Sequence, residues 1–242
     1  MFFSSELGGG ATNKPRFIVV VRHVGERTFR VRGLTLASKE WGDAESMPII
    51  ALHGWLDNAA SFDLMLAQMS GIHAIAVDSA GHGRSDFRSQ DAGYDIWREI
   101  SDVIEIADQM DWQQFALVGH SRGAVVAGLV AGAFPERISD LVLIDCHMPV
   151  PVEAHNSAKQ VAKSIRDDKR FSSSLPSYFD TYEKAVQARA DGFLALQVEA
   201  AHILAKRGVR ECDKGFYWHN DQRLKGTASI QLTEDQIKSF LG

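Results

Sequence analysis

The stretch ALVGHSRGA, Ala116–Ala124, decides how the chain is read. It sets Ser121 between Gly119 and Gly123, the Gly-x-Ser-x-Gly spacing of a serine raised on a sharp strand-to-helix turn. An apolar run, FALVGHS (115–121), leads directly into it, and a segment rich in Ala, Gly and Val, about 122–134, follows. A β-carbon at either glycine would collide with the neighbouring strand or helix, which explains the residue choice. A serine hydroxyl is a poor nucleophile alone and needs a histidine that is itself held by a carboxylate. Ser121 is therefore the candidate nucleophile, and the rest of the chain must be searched for its base.

Working outward, three more short apolar runs accompany the first: PIIALHG (48–54), IHAIAVD (72–78) and LVLIDC (141–146). Continuous apolar strands of this length suit a parallel sheet buried on both faces. Helical segments separate them, SFDLMLAQM (61–69) and YDIWREISDVIEIADQM (94–110), the latter with Trp97, Ile100, Ile104 and Ala107 at helical spacing. This alternation predicts a mostly parallel, doubly wound α/β sheet. Before it, RFIVVVRHV and TFRVRGLTLASKEWG (16–42) read as antiparallel strands at one sheet edge. After Pro149 and Pro151 the pattern turns helical, with windows at 153–168, 178–190 and 191–206 and no strand expected between 153 and 225. The expected division is a mobile tail over 1–14, a core over 15–150, a helical cap over 151–225 and the start of a further core portion over 226–242. In the last part, Thr233 and Gln236 form a candidate capping box.

Composition narrows the function classes. With 242 residues, 45% hydrophobic and 24% charged, the chain fits one soluble α/β domain with a small lid. A net charge of −5 argues against nucleic acid or an anionic membrane as partner. No apolar run approaches the roughly 20 residues of a spanning helix, and the N-terminus lacks the pattern of a secretory signal. Cys146 and Cys212 have neither metal nor redox spacing and read as free thiols of a reducing compartment, so a cytoplasmic location is expected. No cofactor and no metal site is expected.

Two further motifs bear on the site. LHGWLDNAASF follows the 48–54 strand, where backbone N–H groups can stabilise negative charge on a carbonyl oxygen under attack. The expected donors are the backbones of Trp55 and of Arg122, the latter at the positive end of a helix. DSAGHGRSD (78–86) lies at the C-terminal end of the 72–78 strand; without full dinucleotide spacing or a Walker lysine, it reads as a turn beside the site.

With these pieces in order, the sequence resembles the α/β-hydrolase superfamily. HGWLDNAASFD, DSAGHGRSD, GHSRGA and LVLID look especially like its serine hydrolase-like (Kraken-like) group. The resemblance implies an eight-stranded, mostly parallel sheet with a helical cap after strand six. It also implies Ser121 as nucleophile with Trp55 and Arg122 as oxyanion hole, and an acid and a histidine after strands seven and eight. NDQRLKG (220–226) resembles an Asp-Pro-Arg-Leu segment of that group, with Gln222 in place of the proline. No strand-like apolar run follows Cys146, so the fold is expected to be C-terminally incomplete and both triad partners absent. His147, His155, His202 and His219 follow Ser121, each read as a solvated or packing histidine, and Asp145 as a strand-end residue that could instead serve as the acid.

The expected function is a serine hydrolase of carboxylesterase type acting on a small ester-like molecule through an acyl-enzyme, impaired by the missing partners. The alternative is a non-catalytic protein of the same fold that binds a small ligand under its cap. An unprotected 141–146 edge strand would invite self-association.

Overall fold

The structure, a computed structural model, describes residues 23–241. The expected tail over 1–14 and most of RFIVVVRHV lie outside the described residues.

The two antiparallel strands expected at one edge are β1 (His23–Val31) and β2 (Leu34–Gly42), joined at Arg32-Gly33, both at positive φ. Four parallel strands follow: β3 (Met47–Leu52), β4 (Ile72–Val77), β5 (Phe115–His120) and β6 (Ile138–Ile144). The sheet order is β1-β2-β4-β3-β5-β6, with β2 antiparallel to β4 and every pairing from β4 to β6 parallel. Three helices fill the connections: α1 (Asp63–Leu66), α2 (Ile96–Gln109) and α3 (Arg122–Ala133). β6 starts three residues earlier than the apolar run suggested, at the end of a turn opened by Pro135.

The pleat of the central strands accounts for their nearly continuous apolarity. Ile50, Leu52, Ile75, Val77 and Leu117 pack against α2 and α3 on one face. Their alternates Ile49, Ala51, Ala74, Ala76, Ala116 and Val118 meet Phe62 and Leu66 on the other. A strand covered on both faces favours apolar side chains throughout, and the polar exception, His73 of β4, is buried with its ring nitrogen 2.7 Å from the Glu40 carboxylate. The sheet order reverses at β3, because the chain moves to β4 on one side and then to β5 on the other. Such a switch opens a crevice at the C-terminal ends of the strands.

β6 is an edge of this sheet among the described residues, and Leu141, Val142 and Ile144 are 40%, 49% and 38% exposed there. In the final helix, α7 (Glu234–Lys238), the capping box between Thr233 and Gln236 is formed as expected. Ile237 and Phe240 pack onto the core beside α3, where a β-carbon on Gly132 would lie 2.3 Å from the Phe240 carbonyl oxygen.

Between β6 and α7 come α4 (Ser157–Ser172), α5 (Tyr182–Ala190) and α6 (Val198–Gly208). The absence of strands expected here is corrected. β7 (Val209–Cys212) and β8 (Gly215–Trp218) form an antiparallel hairpin, extended by a bridge from Phe179 to Phe216. Four-residue strands with mixed polarity carry little periodic signal, and this pair is held by contacts remote in sequence. The Trp218 indole donates to the Ala185 carbonyl at 2.9 Å, tying β8 to α5.

This cap segment is fastened to the crevice by buried polar groups. Asp78, at the end of β4, is fully buried, and its carboxylate accepts the Arg207 Nε–H of α6 at 2.8 and 2.9 Å. It also accepts the N–H groups of Ala59 and Arg84, both at 2.8 Å. Arg207 reaches on to Glu26 of β1 at 2.7 Å. Removing one partner of a buried pair leaves an uncompensated charge, at a cost of about 3–5 kcal/mol. Arg207→Ala is therefore expected to lower stability by about that amount, read from urea unfolding; a loss under 1 kcal/mol would contradict the anchoring role.

Candidate active site

Ser121 lies between the last residue of β5 and the first residue of α3, at φ +49°, ψ −114°. Side chains rarely adopt such a backbone, and holding one there costs about 1–3 kcal/mol. The surroundings enforce the turn. The Ser121 N–H donates to the Ile144 carbonyl of β6 at 2.9 Å. A β-carbon on Gly123 would lie 2.1 Å from the Leu52 carbonyl oxygen, and one on Gly119 2.5 Å from the Gly123 oxygen. Both glycines thus permit contact between the start of α3 and the sheet, for the reason the sequence suggested.

The loop after β3 runs beside this turn. Leu56 is at φ +61° and donates its N–H to Nε2 of His82 at 3.3 Å. The Trp55 indole donates to the Leu224 carbonyl at 2.9 Å. The backbone N–H groups of Trp55 and Arg122 have no acceptor among the described residues. Both residues line one cleft of about 530 Å³, together with Tyr94, Asp168 and Arg223. On its other side Trp55 helps line an apolar cavity of about 240 Å³ with Leu56, Phe179, Phe193 and Trp218. The Arg122 guanidinium donates to the buried Glu99 carboxylate at 2.5 Å.

The other expected candidates are scattered. Asp145 and His147 are exposed beyond β6, with Asp145 at φ +68°. His155 is exposed, and His202 tilts against Tyr182 on α6. His219 stacks on Phe87 and bonds the Gly83 carbonyl at 2.9 Å; burial lowers its pKa. The ring hydrogen bonds of His53, His73, His82 and His219 all go to groups other than Ser121. Among the described residues no group of three or more metal-ligating side chains converges, and no helix is long and apolar enough to cross a membrane.

Two features escaped the sequence. One is the buried pair His53 and His82, edge to face at 4.9 Å. The other is the latch made by the 220–226 segment. The Asp221 N–H donates to the Gly81 carbonyl at 2.9 Å, and Arg223 caps the carbonyls of Arg88, Ser89 and Ala92. Tyr94 donates its hydroxyl to Asp221 at 2.6 Å. Gly81, at φ +81°, has no room for a side chain because Tyr94 stands 2.6 Å from where a β-carbon would be. The GHG stretch is thus the core half of a cap closure, and its glycines were its sequence signal.

A model of the alpha/beta hydrolase fold family matches residues 47–194, more than half of the chain, and the chain belongs to that family. A serine hydrolase-like protein of Danio rerio is 30% identical over 210 residues, covering 85% of this chain and 64% of that protein. A probable serine hydrolase of Drosophila melanogaster is 29% identical over 240 residues, covering 96% of this chain and 72% of its own. A crystal structure of a hypothetical protein from Pseudomonas aeruginosa superposes with a TM-score of 0.87 at 37% identity, over 90% of this chain and 77% of that one. The similarity to these relatives runs along most of this chain. The chain spans less than two thirds of the Danio rerio protein's length.

Two outcomes are expected. If the Ser121 backbone is strained by its β-carbon, Ser121→Gly should be more stable than Ser121→Ala by about 1 kcal/mol in urea unfolding. Equal midpoints would show the turn unstrained. The second concerns the latch. Burial raises the Asp221 pKa, but hydrogen bonds from Arg223 and Tyr94 outweigh it and the net shift is downward. A lowered folded pKa gives stability that is present above the ordinary value of about 3.9 and lost as pH falls through the folded value. Asp221→Asn should therefore cost about 1–3 kcal/mol at pH 7, with the difference from wild type shrinking only below about pH 4. A difference that fades between pH 7 and 5 would assign the effect to another group.

Proposed function

We propose that the chain carries the nucleophile half of a serine hydrolase site for small ester-like molecules. The observation that supports it most is Ser121 on a strained turn at the head of α3, next to Arg122, which lines one cleft with Trp55; the backbone N–H groups of Trp55 and Arg122 have no acceptor among the described residues. In this reading the Ser121 oxygen bonds to the substrate carbonyl carbon as its proton passes to a base. The carbonyl oxygen takes up the displaced electron pair and is held by the two backbone N–H groups. Collapse expels the alcohol, which takes a proton, and leaves an acyl group on Ser121; water then releases the acid.

The proton acceptor is the part without support among the described residues, where no histidine ring is bonded to Ser121. Slow turnover by these 242 residues follows, because a nucleophile without its base keeps only the rate supplied by binding and the oxyanion donors. Exposure to p-nitrophenyl acetate should acetylate Ser121 slowly, seen as the acetyl mass on its peptide and absent in Ser121→Ala. Acetylation elsewhere, or none, would remove the hydrolase reading.

The second reading, a non-catalytic small-ligand protein, draws on the absence of a histidine bonded to Ser121 among the described residues and on the aromatic cavity beside Trp55. Saturable quenching of tryptophan fluorescence by an apolar ester, with Ser121 left unmodified, would favour it.

A further inference from the structure

His82 is 1% exposed, sits between Gly81 and Gly83 at positive φ, and belongs to no part of the nucleophile turn. Its Nδ1–H donates to the Ala80 carbonyl at 3.2 Å, which leaves Nε2 as an acceptor for the Leu56 N–H at 3.3 Å. His53, packed edge to face against it, is disposed the same way one step earlier. Its Nδ1–H donates to the Gly54 carbonyl at 2.7 Å, and its Nε2 accepts the Ser79 N–H at 3.1 Å. The two rings therefore hold the peptide groups on either side of Trp55; the one gripped by His53 at the Gly54 carbonyl carries the Trp55 N–H on its opposite edge, and that N–H has no acceptor among the described residues. Burial keeps both rings neutral, lowering the His53 pKa and taking that of His82 well below its ordinary value. A neutral ring is required, since a protonated one has no lone pair for the Leu56 N–H.

We infer that His82 is a positioning residue for the oxyanion site: its Nε2 fixes the Leu56 N–H, with His53 gripping Gly54, and so aims the Trp55 N–H at the carbonyl oxygen under attack. Leu56 at φ +61° needs such a restraint, because a side chain in that region relaxes readily to ordinary backbone. This inference rests on the hydrolase reading. It adds a residue that touches neither substrate nor nucleophile.

The test compares His82→Leu, which removes the acceptor, with His82→Gln, whose Oε1 can occupy the Nε2 position. The readouts are Ser121 acetylation by p-nitrophenyl acetate and hydrogen exchange at the Leu56 amide. Loss of one aimed oxyanion donor costs on the order of 10²-fold in rate. His82→Leu should lower the acetylation rate at saturating ester by about that factor, leave half-saturation unchanged and expose Leu56 to exchange. His82→Gln should recover most of both. A wild-type rate in a folded His82→Leu chain overturns the inference and leaves the hydrolase reading standing. A wild-type chain that Ser121 acetylation never marks overturns both. If His82→Leu does not fold, the wild-type nitrogen spectrum decides: the inference requires the Nδ1–H tautomer at His82, and an Nε2–H tautomer overturns it.

Discussion

Asp78 is the group on which the arrangement of the crevice depends. One fully buried carboxylate receives the N–H of Ala59 from the loop after β3, the N–H of Arg84 from the loop after β4, and the guanidinium of Arg207 from α6. A buried charge is tolerable only when its lone pairs are filled. The three donors come from segments far apart in sequence, so filling them brings the loops and the cap helix into one register. Gly83 belongs to the same constraint: at φ +53°, a β-carbon there would lie 2.4 Å from the Asp78 carboxylate.

The candidate site is built on that register. Sheet reversal at β3 opens the crevice, and α3 starts against the carbonyl of Leu52 because Gly123 lets it. Arg122, next to Ser121, thereby lines one cleft with Trp55, while Arg189 of α5 pairs with Asp57 at 2.8 Å and Asn58 reaches the Leu204 carbonyl of α6 at 3.0 Å. Asp57, Asn58 and Ala59 of the loop after β3 are thus each held by a group outside it. Rigid support of this kind is what aimed backbone donors require, since a donor that must reorganise loses most of its electrostatic advantage.

The 220–226 segment shows how one resemblance can carry a structural part. Arg223 caps three carbonyls of the 88–92 stretch, and Asp221 is held by Tyr94. Gln222 in the same turn donates its side-chain N–H to the Asn220 carbonyl at 3.1 Å.

What the sequence alone determined was whatever is encoded by neighbours along the chain. Nearly continuous apolar runs at β3, β4 and β5 marked parallel strands, because a strand buried on both faces favours apolar side chains at every position. Gly119 and Gly123 marked the turn at Ser121, and Thr233 with Gln236 marked the last helix. The short hairpin Val209–Trp218 was not legible, since its pairing partners and its support by Ala185 and Phe179 decide it rather than its own pattern. Nor was the role of buried polar residues: the GHG stretch by itself reads as a turn, whereas the His82 Nε2 accepts the N–H of Leu56, 26 positions earlier in the chain. Tertiary structure decided those pairings because a buried donor or acceptor must find its partner wherever the fold brings one within about 3 Å, and sequence separation sets no limit on where that is.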